Sequence, residues 1–460
     1  MTTEQSRTNK MNLKLRYKKS LEMLNPDTSG IDIGSEEIWV SVPEDRTEKN
    51  VLRFGAYTCD LHEIAKWLKR NRIKSVAMES TGVYWIPLFE VLEQKGFDVF
   101  LVNAREVKNV SGRPKTDKHD CQWIRRLQTY GLLRNSFRPS DEVCRLRTLA
   151  RHRKNLDRQS SRHVQHMQKA LHMMNLLLPK VVSDITGKTG MAIINAALNG
   201  ERDPYKLAKL RDSRIKSTES EIAKALTGNY RREELFILKQ AVEAYNYVLK
   251  QIGECSLQIQ KQLDTMSSMM NEDIPSEDNT RGSFLKYNVN TVREHLISLN
   301  GIDVTKIMGI EVETALTLIS EVGYDMFKWK DHKYFSSWLG LSPNNKVSGG
   351  KVLRTGTRRV QSRAAAAFRM SASTLRNSKC YLGAYYRKMS FRKGPAKALT
   401  ATARKLAIIY YNMVKYKKEY TDLGADYYQK RYKDRYIKNM MKNAGELGFI
   451  LVPQEKAAEL

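Results

Sequence analysis

The order of apolar and polar positions predicts an α/β domain near the start of the chain. Residues 30–42 and the segment NVLRFGAYT alternate as β-strands do, and LHEIAKWLKR then has the spacing of an amphipathic helix. Short apolar strands at SVAMES and DVFLVN are each followed by a helical pattern, the second of which runs from about Asp117 to Leu133. We therefore predict strands first, with helices interleaved among the later strands.

The middle of the chain has the periodicity of long helices. One helix is predicted from Asp141 to Leu178, ended by Pro179. From Leu235 to Met266 apolar residues recur at alternating steps of three and four, and only Ser256 interrupts them. So regular a seam favours a coiled coil over a core helix of a bundle, and a coiled coil would join protomers.

The last third of the chain also predicts helices. The polar segment MNEDIPSEDNTRGS has the composition of a linker. Beyond it, two apolar helical patterns flank a turn at Gly309, which resembles a helix-hairpin-helix. PAKALTATARKLAIIYYNMV predicts a further helix with Pro395 in its first turn.

These patterns divide the chain into six regions and give a fold class of α/β plus all-α. The regions are a polar arm (1–27), an α/β domain (28–140), a helical and coiled-coil region (141–270), a linker (271–294), a mostly helical C-terminal domain (295–420) and a basic tail (421–460).

The charge of the chain points to a polyanionic partner. The formal net charge is +29, and no Asp or Glu occurs between Asp331 and Glu419. Nucleic acid is the first candidate for such a partner, because clustered cations bind phosphates. The candidate phosphate contacts are Arg145, Arg147, Arg151, Arg153, Lys154, Arg158, Arg162, Lys351, Arg354, Arg358, Arg359, Arg363, Lys397, Arg404 and Lys405.

Cysteine spacing and hydropathy argue against disulfide-rich, zinc-binding, secreted and membrane-spanning proteins. The five cysteines lie far apart without a CxxC pair, which argues against a zinc site or a disulfide framework. The N-terminus lacks the apolar core of a signal peptide, and no apolar run approaches the length of a membrane span. We therefore expect a cytoplasmic protein.

Four carboxylates stand where the α/β pattern would bring them together. Asp32 lies on the first strand, Glu79 ends the strand SVAMES, and Asp117 and Asp120 share one face of the following helix. Any one of them could be a helix cap or a surface ion pair. As a set they predict a site for Mg²⁺, which prefers oxygen ligands, and two such ions can clamp a scissile phosphate.

Ser348 admits more than one interpretation. It precedes Gly349 and Gly350 in PNNKVSGGKVLRTGTRR, and clusters of Asn, Ser and Gly are typical of turns. A Walker phosphate loop is excluded because the segment has no GxxxxGK[ST] spacing. A nucleophile is the remaining alternative, although the nearest histidine in sequence is His332.

Several motifs taken together resemble a known family. GIDIGS, MESTGVYW and GRPKTDKHD, followed by WLGLSPNNKVSGGK and ATARKLAIIYYNMV, resemble the two-part transposases of the insertion-sequence family numbered one hundred and ten, including its eleven-eleven subgroup. The resemblance covers roughly residues 28–170 and 295–415. It implies a RuvC-like, RNase H-like N-terminal domain with a DEDD acidic set, a coiled coil, and a C-terminal domain with a catalytic serine.

The resemblance also implies an activity and its partners. Such proteins are recombinases that a bridge RNA guides to donor and target DNA, in bacterial or archaeal cytoplasm at the nucleoid. It assigns Asp32, Glu79, Asp117 and Asp120 to catalysis and metal binding, and Ser348 to nucleophilic attack. It further implies a homo-oligomer, a dimer or a synaptic tetramer, in which the serine and the acids meet in a composite site.

Two other functions fit part of the sequence. A metal-dependent junction nuclease would use the acids alone, with Ser348 as a turn residue. A non-catalytic nucleic-acid-binding protein would use the basic helices and need none of the acids. A tyrosine recombinase is disfavoured, because no recognisable Arg, His, Arg set accompanies the C-terminal tyrosines.

Overall fold

The computed structural model describes residues 22–80, 82–103, 116–269 and 288–452. The polar arm 1–27 and the linker 271–294 therefore lie largely outside the described residues. The chain forms two compact units that divide between Arg138 and Pro139, and each is described separately below. Among the described residues, no helix combines the length and the apolar character that crossing a membrane requires.

The first unit is built on a five-stranded sheet in the order β3-β2-β1-β4-β5. β1, β2 and β3 pair antiparallel, whereas β1, β4 and β5 run parallel. This mixed sheet with its helices is an RNase H-like fold, as predicted. The elements are β1 (Thr28–Ile33), β2 (Glu37–Ser41), β3 (Val51–Gly55), α1 (Thr58–Arg70), β4 (Ser75–Glu79), α2 (Trp85–Gln94), β5 (Asp98–Val102) and α3 (Asp117–Thr129).

The predicted strand 30–42 is in fact a hairpin of two strands. The Gly34 N–H donates to the Glu37 carbonyl at 2.9 Å, which closes a tight turn between β1 and β2. The side-chain alternation continues through this turn, so periodicity alone did not mark it. As a result β1 pairs with β2 on one side and with β4 on the other, and becomes the central strand.

Both faces of the sheet are covered. On one face, α1 and α2 bury an apolar cluster that includes Ile31, Val40, Ile64 and Leu88. On the other face, α3 packs over β1, β2 and β4. Because both faces are covered, the residues of the central strands are mostly apolar. A carboxylate on β1 or β4 is therefore unusual and needs a chemical explanation.

The part of the second unit that the structure describes is helical apart from one hairpin. Its strands are β6 (Lys346–Ser348) and β7 (Lys351–Arg354). Its helices are α4 (Asp141–Met173), α5 (Leu178–Val181), α6 (Lys188–Leu198), α7 (Pro204–Ala208), α8 (Glu219–Ala225), α9 (Arg232–Ser268), α10 (Val289–Asn300), α11 (Val312–Val322), α12 (His332–Trp338), α13 (Arg363–Thr374), α14 (Tyr381–Lys393), α15 (Pro395–Tyr416) and α16 (Gly424–Glu446).

α4 and α9 form a long antiparallel pair within one chain. The Arg153 Nε donates to the Ser256 Oγ at 3.0 Å, and Gln262 reaches back to the Glu142 carbonyl. The apolar seam of α9, including Ile252 and Ile259, is buried in this pairing. We expected the seam to join protomers, but α4 of the same chain occupies it. Oligomerisation therefore stays a prediction without this seam as its basis.

Two predicted boundaries also need correction. α4 ends at Met173, and Pro179 lies in the first turn of α5 rather than ending a helix. Proline fits there because a first-turn N–H has no partner within the helix. Residues 289–294 of the predicted linker are helical and belong to α10.

The predicted helix-hairpin-helix is also altered. The helical residues between α10 and Gly309 are a single 3₁₀ turn, Val304–Lys306. Gly309 itself has a left-handed φ of 87°, and a Cβ there would lie 2.9 Å from the Ser371 carbonyl oxygen. The turn is thus packed against the end of α13.

An aromatic core holds the C-terminal helices together. Phe335 of α12 packs against Trp329, Phe368 and Tyr410, with ring centroids 5.0 to 6.5 Å apart. The buried Tyr411 hydroxyl donates to the Trp329 carbonyl at 2.9 Å. α15, predicted from its sequence pattern with Pro395 at its start, supplies both tyrosines. The Ser337 carbonyl of α12 accepts a hydrogen bond from Arg358, at the base of the β6–β7 hairpin.

Candidate active site

Two neighbouring strands carry Asp32 and Glu79 to the same edge of the sheet. Ile31 of β1 pairs with Met78 of β4 in parallel register, so Asp32 and Glu79 occupy the next positions on adjacent strands. Side chains alternate along a strand, so these two carboxylates share the face that carries Gly30 and Ala77. That face is the one on which α3 packs.

Gly30 lets α3 approach this face closely. A Cβ at residue 30 would lie 2.2 Å from the Cys121 carbonyl oxygen and 2.3 Å from the Arg125 amide nitrogen. Both are backbone atoms, so they could not move aside without shifting the helix. The close packing sets the first turn of α3, with Asp117 and Asp120, near the end of β1. Sequence reasoning missed this residue, and its one signal was a glycine inside an otherwise apolar strand.

Asp32 lies within electrostatic reach of the other three acids. The pKa of Asp32 is raised to about 6, first by burial and then by the negative charges of Asp117, Asp120 and Glu79. The Ile33 amide offsets part of this effect by donating to the carboxylate. Mutual repulsion of this kind is typical of carboxylates arranged to receive a cation.

Cys121 lies beside the acids without joining their chemistry. Its thiol is buried and donates to the Lys118 carbonyl at 3.2 Å. Burial, followed by the charge of Asp32, raises the pKa of Cys121 to about 12. A thiol that stays protonated is a poor metal ligand and a poor nucleophile, so Cys121 is a packing residue.

The acidic set fits a divalent metal by its donor chemistry. Four carboxylates offer hard oxygen ligands, and a cation would relieve the repulsion on Asp32. Among the described residues, no group of three His, Cys, Asp or Glu side chains is close enough to share one ion. If Asp32, Glu79, Asp117 and Asp120 are the ligands, as predicted, their side chains would have to rotate toward a common ion.

Replacing Gly30 by alanine is expected to destabilise the first unit. Forcing a methyl group into this contact should cost about 3 kcal/mol and lower the melting temperature by roughly 10 °C. Gly445→Ala is the control, since a Cβ at that helical position meets nothing within 4 Å. Thermal melts followed by circular dichroism measure both variants. A Gly30→Ala protein that melts with its parent would disprove the close-packing argument.

Ser348 lies at the tip of the β6–β7 hairpin. It pairs with Lys351 across a two-residue connection in which Gly349 and Gly350 have φ of 54° and 74°. Two consecutive left-handed residues define a type I′ turn, for which glycine is well suited. The turn geometry therefore explains the two glycines. Ser348 is the strand residue that precedes them.

The hairpin is exposed along its whole length but fixed at its base. Every residue of both strands is exposed, including Val347 and the 69 % exposed Leu353. At the base, Pro343 pairs with Thr357, and the Arg358 Nη2 donates to the Ser337 carbonyl at 3.0 Å. The arm therefore presents the Ser348 hydroxyl on an accessible tip flanked by cations. His332 is half-buried at the start of α12, with its ring centroid 6.5 Å from that of Tyr411.

Three of the predicted phosphate contacts on α4 bind protein groups instead. Arg151 forms a bidentate ion pair with the buried Glu321 of α11, with N–O distances of 2.8 and 2.7 Å. Arg147 donates to the Ser320 and Glu321 carbonyls, and Arg153 donates to Glu313. We call the contact of Arg147 and Arg151 with Glu321 the α4–α11 clamp. These three arginines have structural partners that sequence reasoning could not supply.

The other cations of α4 remain available to a ligand. Arg145, Lys154, Arg158 and Arg162 are exposed. A cleft of about 430 Å³ between α4, α11 and α13 is lined by Lys154, Arg158 and Arg363, and also by the paired Arg151 and Glu321 and by Glu313. Burial lowers the pKa of Arg363, and the neighbouring charges of Arg151 and Arg158 lower it further while Glu321 raises it in part, so this end of the cleft is crowded with cations. Such crowding is typical of a surface that binds phosphates.

The remaining predicted contacts lie in two other places. Lys351, Arg354 and Arg359 are exposed on or after the hairpin, and Lys397 is exposed on α15. Arg404 and Lys405 are half-buried, and the Lys405 ammonium lies 4.6 Å from the Tyr385 ring centroid. The predicted residues are therefore distributed over several surfaces of the second unit.

Removing Lys154, Arg158 and Arg162 together by alanine substitution should flatten the salt dependence of duplex DNA binding. Each lost phosphate contact lowers the slope of log K against log salt by about 0.9, so a reduction of roughly 2 to 3 is expected. Lys239, Lys250 and Lys261 on the outer face of α9 form the control set, because their removal changes the net charge equally. Fluorescence anisotropy at several salt concentrations gives the slopes, and equal slopes for both triple variants would contradict the assignment.

Comparison with known families decides the identity of the chain. Residues 29–175 match the model of the DEDD transposase domain of the IS110 family. Residues 303–387 match the model described as transposase IS116/IS110/IS902 family, and the two matches together cover half of the chain. This chain belongs to the IS110 family of transposases. A search of curated proteins gave no match.

Membership in the IS110 family accounts for the arrangement of the acids. The first matched segment contains Asp32, Glu79, Asp117 and Asp120, and a DEDD domain implies the use of a divalent metal. The second matched segment contains the β6–β7 hairpin with Ser348. The IS110-family chain is thus a DNA transposase. Its candidate acids lie in the first matched segment, and its candidate serine lies in the second.

Proposed function

We propose that this IS110-family transposase cuts and rejoins donor and target DNA through a covalent serine–DNA intermediate. The observation that carries the proposal is Ser348, held on the tip of an anchored, exposed and cationic hairpin. A serine needed only for the turn would not require an exposed hydroxyl flanked by cations. The four acids of the RNase H-like domain, two on strands and two on α3, supply the second half of the chemistry.

The proposed exchange conserves phosphate ester bonds. The Ser348 Oγ forms a bond to a DNA phosphorus, and the bond from that phosphorus to a deoxyribose oxygen breaks. The serine hydroxyl loses its proton, and the departing sugar oxygen gains one. In the second step a sugar hydroxyl of the partner strand attacks the phosphoserine and restores the serine. No nucleotide hydrolysis is needed, which agrees with the lack of a Walker loop in the sequence.

The chain's side chains divide the remaining tasks. Asp32, Glu79, Asp117 and Asp120 hold Mg²⁺ in this proposal, which when bound neutralises and orients the scissile phosphate. Lys351 and Arg354, on the strand that follows the turn, neutralise charge that develops on the phosphate oxygens. The acids and Ser348 act on the same phosphodiester in the active homo-oligomer.

We also infer that a bridge RNA selects the donor and target DNA. The support is the family membership together with a net charge of +29, which exceeds what a single short duplex contact requires. Sequencing the RNA that co-purifies with the full-length protein tests this part. One discrete RNA species supports guidance, and an unselected mixture of cellular RNA opposes it.

A denaturing gel tests the serine chemistry directly. End-labelled DNA substrate is incubated with the protein, its RNA and Mg²⁺, and the reaction is stopped in detergent. We expect a labelled band at the mass of a protein–DNA adduct, which peptide mass mapping places at Ser348. Cleaved DNA without an adduct at every time point would replace the proposal with a metal-dependent nuclease.

A further inference from the structure

The last helix of the chain carries a row of tyrosines on an exposed surface. α16 buries none of its side chains, and it packs against α14. Tyr428, Tyr432 and Tyr436 follow at intervals of four residues, so they lie along one face of the helix. Successive ring centroids are 6.4 Å apart, with interplanar angles of 29° and 14°. This helix lies beyond both segments that match the family models.

The row borders a groove whose other wall is α14. The groove has a volume of about 480 Å³ and is lined by Phe391, Tyr428, Tyr432, Arg387 and Lys388, among others. Phe391 is 90 % exposed and Tyr436 is 56 % exposed. Aromatic rings that stand in a row and remain exposed to water can stack against the flat face of a ligand.

Cations accompany the aromatic rings throughout this surface. The Lys388 ammonium lies 4.4 Å from the Tyr432 ring centroid. Lys and Arg outnumber Asp and Glu in α16 by six to three. Burial, followed by the charges of Arg431, Arg435 and Arg404, lowers the pKa of Lys405 next to this surface. Cations gathered this closely repel one another, and an anionic ligand would relieve that repulsion.

We propose that the α14–α16 surface binds unpaired nucleotides of a nucleic acid, with bases stacked on Phe391, Tyr432 and Tyr436 and phosphates on the neighbouring cations. Rings that alternate with cations suit single strands, because every base has a π face that a duplex keeps inside its own stack. A folded guide RNA and a DNA strand freed during exchange both present such nucleotides. The inference deepens the proposed function by naming this feature of its nucleic-acid partner.

The test measures binding by the full-length protein without any cleavage step. The probes are labelled oligonucleotides of about 20 nucleotides that all have the same mixed sequence. They are prepared as single-stranded RNA, single-stranded DNA and duplex DNA. The test variant combines Phe391→Ala with Tyr436→Ala, because both side chains are too exposed for their loss to unfold the protein. The combination of Phe391→Tyr with Tyr436→Phe keeps both rings, and Tyr205→Ala removes an exposed ring elsewhere.

The alanine pair is expected to weaken binding of single strands by roughly 10- to 100-fold while leaving duplex affinity unchanged. The ring-preserving pair and Tyr205→Ala should bind as the parent does. A loss confined to RNA identifies the guide as the source of the nucleotides, and a loss confined to DNA identifies the exchanged strand. Asp32→Asn should bind all probes normally, so a failure of the catalytic proposal would remain distinct from a failure here.

Three outcomes would overturn the inference. The first is unchanged affinity of the alanine pair for both single-stranded probes. The second is an equal loss for the duplex, which would indicate a general defect in binding. The third is a lower mass in light scattering with unchanged affinity, which would show that the surface contacts a second copy of the chain.

Discussion

Ser348→Ala is expected to abolish strand exchange while the protein still folds and binds its nucleic acids. Removing the attacking group should lower the rate by at least about 10⁴-fold, as loss of a nucleophile does in enzymes with covalent intermediates. Folding should be unaffected, because every residue of the hairpin strands is exposed and Gly349 and Gly350 alone supply the turn geometry. The adduct band on the denaturing gel should disappear together with product.

The hairpin offers a matched control for this substitution. Val347→Ala shortens a neighbouring exposed side chain on the same strand and leaves the hydroxyl in place. It should form the adduct at a rate close to that of the parent. Ser348→Cys tests the role of the atom, since a thiol can attack phosphorus but with altered geometry, and a small residual activity is expected. Cleavage by Ser348→Ala at the parental rate would show that Ser348 is only a turn residue.

Asp32→Asn and Asp120→Asn are each expected to eliminate strand exchange by removing a metal ligand. An amide keeps the shape of the side chain but loses the anionic oxygen that the cation requires, so a loss on the order of 10³-fold is expected. Nucleic-acid binding should persist because the basic surfaces are untouched. Strand exchange measured by product sequencing, beside anisotropy measurements, separates the two properties.

The stability of the acidic variants gives a second readout that needs no activity. Burial and three neighbouring carboxylates raise the pKa of Asp32, so its ionised form destabilises the metal-free fold. In a chelator, Asp32→Asn should therefore raise the melting temperature by a few degrees, a gain of about 1 kcal/mol after allowance for solvent screening. Mg²⁺ should stabilise the parent more than the variant. Equal Mg²⁺ shifts in both would remove Asp32 from the metal site, and Glu37→Gln serves as an exposed control.

The elements that position the acids were predictable because their signals are local. Short apolar strands and amphipathic helices leave periodic patterns, and they placed Asp32, Glu79, Asp117 and Asp120 on the correct elements. The β1–β2 turn was missed because its polar residues continued the alternation across Gly34. Gly30 was missed because its importance lies in its contact with the backbone of Cys121 and Arg125 on α3, more than ninety residues away in the sequence.

Long-range partners account for the remaining differences. A basic helix face looks the same in sequence whether its arginines meet phosphates or a buried carboxylate, and Glu321 could not be paired with Arg151 in advance. The seam of α9 likewise specifies an apolar partner but not which helix provides it. Composition identified the kind of chemistry, and only the fold assigned each charge to a partner.

The α4–α11 clamp has a consequence for how such proteins diversify. It fastens a helix from the first homologous segment to a helix from the second, although residues 176–302 separate the two in the sequence. The ends of that intervening stretch are thus held by contacts outside it, and the entropy of closing a longer loop grows only slowly with its length. Insertions in the connections within residues 176–302 should therefore disturb this pair of helices little, whereas α9 in the same stretch packs along α4 and has to keep its register.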